Sequence, residues 1–189
     1  MKGHNARTPR LQSVIPGQIA SVTNRVKLPQ VEALVDAILQ ADTVFTAGAG
    51  RSLLILKAFT MRLVHLGMKA YAVGETSTPA IGSDDLLIAG SGSGVTRTTL
   101  AIVEAAKERG ARVATITANP KGPIPQASDM IVEIPWPVTK VDTVHEAPQP
   151  PGSLFEQCMF VVCEDMIMQL MRKLGTSARE MRERHTKLE

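Results

Sequence analysis

Apolar side chains recur at helical spacing before any strand-like run begins. Leu11, Val14, Ile15, Ile19 and Val22 form one such stripe. A second helix opens at Pro29 and runs through residue 41, with Val31, Leu34, Val35 and Ile38 on one face. These two helices are expected to cover a sheet edge or to meet a partner subunit. From residue 43 the pattern changes to short apolar runs separated by amphipathic stretches. Residues 43–47, 69–73, 85–89, 113–117 and 130–134 read as strands. Helices are expected from about residue 52 to 66 and from about 96 to 109, the second stopped by Gly110. This alternation predicts an α/β fold, a three-layer αβα sandwich around a five-stranded parallel sheet covered on both faces.

Residues 135–152 carry five prolines and no periodicity, which predicts a long loop and a plausible border for an active site. A long helix follows over 153–174, and a charged last helix starts at Ser177 and carries His185 near its end. The segment 154–174 is the most apolar of its length, but Glu156, Glu164 and Asp165 interrupt it. Those charges argue against a membrane span.

Composition narrows the function classes. A chain of 189 residues, 44% apolar, fits one domain. We expect an N-terminal helical segment over 1–28 and the main domain over 29–189. Net charge is +3, but Lys and Arg are dispersed and aromatics make up 3%, a poor basis for nucleic-acid binding. A mild positive balance suits a small anionic substrate. Cys158 and Cys163, inside an apolar helix, read as buried thiols of a reducing compartment rather than a disulfide or metal site. MKGHNARTPR lacks the apolar core of a secretory signal, so a soluble cytoplasmic protein is expected.

Three polar, glycine-bearing loops fall at strand C-termini, where doubly wound sheets bind ligands. The first is Gly48-Ala49-Gly50-Arg51-Ser52. It lacks the third glycine of a dinucleotide fingerprint, position 53 being Leu, yet exposed N–H groups and a Ser hydroxyl at a helix start can hold an anion. Arg51 could neutralise phosphate there or form a surface salt bridge. The second loop, Ser91-Gly92-Ser93-Gly94-Val95-Thr96, alternates hydroxyls with glycines before a helix. That is more donor capacity than an N-cap by Thr96 needs, and it predicts a phosphate cradle. No Walker-type lysine follows, so a nucleoside triphosphate is not indicated. The third loop, Thr117-Ala118-Asn119, either completes the rim or is a simple strand-to-turn transition.

The segments TAGAGRS (46–52), GSGSGVT (90–96), TANP (117–120) and GSLFEQ (152–157) resemble a sugar isomerase (SIS) domain, a flavodoxin-like fold. With FTMRLVHLG (59–67), VGETSTP (73–79) and the HTKLE ending (185–189), the chain from about residue 30 resembles the 6-phospho-3-hexuloisomerases. Val95 departs from the polar residue expected at its position. The resemblance implies interconversion of 3-hexulose 6-phosphate and fructose 6-phosphate through an enediolate, the second step of formaldehyde fixation by the ribulose monophosphate route. No cofactor is implied, and the histidines lack metal-ligand spacing.

Such chemistry needs a tuned acid–base group. Glu156 on the first turn of the long helix is either that base or half of a Ser153–Glu156 capping box; the resemblance implies the base. His65 reads by itself as a histidine complementing a helix C-terminus; the resemblance implies a proton-shuttling or ring-opening role. Glu75 is a second carboxylate candidate or a solvated turn residue. His185, in a charged tail, could fold over a neighbouring pocket, and His145 in the Pro-rich loop has no motif around it. Glu156 and His65 sit at a helix start and a helix end, so they are expected to converge across subunits. The resemblance implies dimers or tetramers with shared sites.

Two alternatives stand beside this reading. One is an SIS isomerase of a pentose or heptose phosphate. The other is a non-catalytic sugar-phosphate sensor, disfavoured because about 40 weakly basic residues precede the first strand, too few for a DNA-reading domain.

Overall fold

A computed structural model describes residues 11–135, 149–185 and 187. The chain opens with two helices, α1 (Leu11–Thr23) and α2 (Leu28–Gln40). Then come β1 (Val44–Gly48), α3 (Gly50–His65), β2 (Ala70–Ala72), β3 (Leu86–Gly90), α4 (Arg97–Glu108) and β4 (Arg112–Thr117). The chain continues through α5 (Pro123–Gln126), β5 (Met130–Glu133), α6 (Ser153–Leu174) and α7 (Ala178–Glu183).

All five predicted strands form, each within a residue or two of its expected bounds. They make one parallel sheet in the order β2-β1-β3-β4-β5. β1 and β3 are buried almost end to end, as a sheet covered on both faces requires. The short α5 was not expected. Its two prolines sit in the first turn, where a missing N–H costs nothing, but four residues leave no periodicity to read.

The two faces carry separate cores. Alternate side chains of the strands, Val44, Leu86, Ile88, Ala114, Ile116 and Val132, meet α2, α3 and α6 on one face. Phe45, Ala47, Leu87, Ala89 and Val113 meet α4 and α5 on the other. Period-two alternation thus assigns each strand residue to one layer. Val22 of α1 is fully buried in the first core, so α1 is packed rather than peripheral.

The predicted thiols are free and buried; burial pushes Cys158 up to about 11 and Cys163 higher still. No helix among the described residues is long and apolar enough to cross a membrane. The loop expected over 135–152 lies mostly outside the described residues, as does His145.

Candidate active site

Every β-strand runs parallel, so the C-terminal ends of β1, β3 and β4 share one edge, and all three polar loops emerge there. α3 begins at Gly50 with Ala49 as N-cap, and α4 begins after Thr96. Neither N-terminus is capped by a side chain. Their first backbone N–H groups are therefore available to an anion, reinforced by the helix dipoles.

The second loop is held in shape by its own hydroxyls and by the third loop. Ser91, buried, accepts at Oγ from Gly94 N at 3.2 Å, and its hydroxyl meets Thr96 Oγ1 at 3.1 Å. Thr96 thus spends its hydroxyl on Ser91 rather than on the cap expected of it. Ser93 Oγ accepts a long bond from Val95 N at 3.4 Å. Asn119 donates from Nδ2 to Ser93 O at 2.9 Å, and its Oδ1 accepts from Lys121 N at 3.2 Å. Asn119 is therefore a brace beneath the loop. Gly94 has φ of +68°, and a Cβ there would come within 2.9 Å of Asn119 O, so only glycine fits. Val95 points outward, 51% exposed.

Helix α6 brings the acid–base candidate to these loops. Its first turn follows Gly152, and consecutive residues reach in two directions: the Phe155 ring lies against Gly92, and Glu156 meets Arg51. Glu156 is not half of a capping box. Gly152, not Ser153, is the N-cap, and no side chain caps this helix. The capping box of this chain is Ser177 with Glu180, at the start of α7.

Arg51 Nε stands 2.5 Å from Glu156 Oε2 in a close ion pair. The side chain of Glu156 is 14% exposed and that of Arg51 60%. Both line a cavity of about 450 Å³ with Gln157 and the apolar Ile19, Leu54, Ile55, Phe160 and Val161. Burial holds the Glu156 carboxyl above the usual carboxylate range, with the Arg51 charge pulling it back. Ser52, buried on the first turn of α3, stands beside Arg51 in sequence.

Two residues escaped the sequence reading. Gln157 lines the same cavity with a buried Oε1 that has no hydrogen-bond partner, and Phe155 walls the glycine loop. Both lie in GSLFEQ, but a glutamine and a phenylalanine in an apolar helix give no chemical signal of their own.

The remaining candidates lie elsewhere. Glu75 is exposed and ion-paired with Lys57. His65, 5% exposed, ends α3, so about 21 Å of helix separates it from Arg51. There it faces His185, ring centroids 5.0 Å apart, and Arg184 donates from Nη1 to His65 O at 3.2 Å. Burial, then the charges of His185 and Arg62, lower the His65 pKa from 6.5. Within one chain the glutamate and the histidine do not meet. Among the described residues no group of three His, Cys, Asp or Glu is placed to hold a metal ion.

The sequence pattern of the SIS domain matches residues 37–146. The chain is 40% identical over 177 residues to a 3-hexulose-6-phosphate isomerase of Mycobacterium gastri, covering 94% of this chain and 89% of that one. This chain belongs to the SIS domain family. A 3-hexulose-6-phosphate isomerase of Bacillus subtilis is also 40% identical, over 85% of this chain and 87% of its own. Among solved structures, a protein of Methanococcus jannaschii inferred to be a 3-hexulose-6-phosphate isomerase superposes with a TM-score of 0.81 at 31% identity. That match covers 94% of this chain and 98% of the other. The likeness spans the SIS core together with α6, where Glu156 sits.

Proposed function

We propose that the protein interconverts 3-hexulose 6-phosphate and fructose 6-phosphate. The observation that carries this reading is a carboxylate only 14% exposed, Glu156, set in an apolar cavity one residue from the wall of an uncapped, hydroxyl-rich glycine loop. The near full-length likeness to named isomerases supports it.

The phosphate docks at the loop of Ser91, Gly92, Ser93, Gly94 and Thr96 and at the α3 N-terminus of Gly50, Arg51 and Ser52. Glu156 removes the proton on C2 of the 3-ketose, and the electron pair forms the C2=C3 double bond of an enediolate. A proton returns to C3 while the O2 proton passes to O3, so the carbonyl moves to C2 and the C3 oxygen becomes a hydroxyl. A carboxyl raised above its usual range is a stronger base than an exposed glutamate, and such proton transfer contributes about 10²–10⁴ in rate.

His65 takes part from a second copy of the chain. Its 21 Å of helix from Arg51 separates the two groups within one subunit. Exposed apolar side chains on α3 (Leu54, Met61, Val64) and α6 (Phe160, Val161, Met168) offer the surface on which subunits join.

The test is conversion of fructose 6-phosphate to its 3-keto isomer, or the reverse step coupled to glucose 6-phosphate formation. Glu156→Gln lowers kcat about 10²-fold or more while sugar-phosphate binding persists. Turnover of arabinose 5-phosphate or sedoheptulose 7-phosphate in its place would refute the assignment.

A further inference from the structure

Arg51 stands between the Glu156 carboxylate and the uncapped start of α3. Its Nε pairs with Glu156, while its backbone belongs to the uncapped first turn of α3. A guanidinium carries five N–H donors, and the Glu156 contact engages one nitrogen. Arg51 is 60% exposed, so the rest of its guanidinium is open to solvent and to a ligand. Among the described residues no second cation lines the cavity. α1 contributes Ile19, α3 contributes Leu54 and Ile55, and α6 contributes Gln157, Phe160 and Val161 beside Glu156 itself.

We propose that Arg51 is shared between Glu156 and the substrate phosphate, so that docking of a dianion draws its charge off Glu156 and leaves that carboxylate alone in its apolar cavity. This rests on the isomerase reading above and adds a control of its base. A carboxylate in apolar surroundings that loses its cation binds protons more tightly. Glu156 is thus ionised and paired while the site is empty, and gains basicity once a sugar phosphate is seated. Nonproductive proton traffic is suppressed in the empty enzyme, and the base is strongest when its substrate is in place.

Sulfate is the suitable probe because it stays dianionic from pH 5 to 8. Its binding is followed by titration calorimetry in buffers of different ionisation enthalpy, for the wild-type protein and for Glu156→Gln. By linkage, the wild type takes up protons on binding and binds sulfate about fivefold or more tightly at the acidic end. Glu156→Gln binds sulfate at least as tightly as the wild type at pH 8, and that proton uptake is lost. Arg51→Gln weakens sulfate binding and loses the same uptake. Equal proton uptake and equal pH dependence in wild type and Glu156→Gln would overturn the sharing while leaving the anion site standing. Failure of the wild type to bind sulfate would overturn both.

Discussion

The Phe155 ring closes against Gly92: a Cβ at position 92 would come within 2.9 Å of Phe155 Cδ1 and 3.1 Å of its Cγ. The glycine loop and the first turn of α6 are therefore in direct contact, and Glu156 follows Phe155 in the chain. Gly92→Ala must displace the ring or the loop. Overpacking of this kind costs about 1–3 kcal/mol, read as a lower urea midpoint. It also raises KM and lowers kcat, because loop and carboxylate move together. Adding Phe155→Leu makes room for the methyl and recovers part of both losses, a coupling that a double-mutant cycle measures.

Asn119 ties the third loop to the second through the Nδ2 bond to Ser93 O. Asn119→Ala removes that bond and the one from Lys121 N, a loss of about 1–2 kcal/mol in unfolding free energy. The phosphate loop loosens while the acid–base groups stay in place. KM for the sugar phosphate therefore rises more than kcat falls, which steady-state kinetics separate.

Much of this arrangement was legible in the sequence because it rests on local chemistry. The five strands announce themselves as short β-branched and aliphatic runs, and the loop before α4 as alternating Ser and Gly. What a sequence does not hold is which long-range partner a polar residue takes. Ser153 and Glu156 have the spacing of a capping box, but Gly152 is the N-cap and Arg51, on another helix, claims the carboxylate. Thr96 stands at the N-cap of α4, but its hydroxyl meets Ser91 instead of a helix N–H. Asn119 shows its role only once β3 and β4 stand side by side.

The titration of two groups sets the pH behaviour. In the proposed mechanism Glu156 works as a base in its ionised form, and burial raises its pKa above 4.5. Turnover therefore falls as pH drops through a value above the usual carboxylate range, and Glu156→Gln abolishes that limb of the kcat/KM profile. His65 has the opposite shift, below 6.5. Its folded form favours the neutral ring, so its contribution to stability is complete above pH 6.5 and is lost as pH falls through the lowered value. Urea midpoints measured from pH 7.5 to 5 show this loss in the wild type, and His65→Gln reduces it.

The length of α3 between Arg51, the ion-pair partner of Glu156, and His65 has a consequence for mixed assemblies. If each site takes the carboxylate from one subunit and the imidazole from another, Glu156→Gln and His65→Asn are each inactive alone. Mixed after unfolding and refolding together, they regain activity, because some sites receive both intact groups. Mixtures no more active than the separate variants would show that the two groups do not share a site.

The central claim is that Glu156 moves a proton between C2 and C3 of a ketose phosphate. Nuclear magnetic resonance of fructose 6-phosphate incubated with the protein in D₂O tests it directly. The account predicts deuterium at C3 with the wild type and its loss with Glu156→Gln. Deuterium at C1 alone, or undiminished exchange at C3 in the variant, would contradict it.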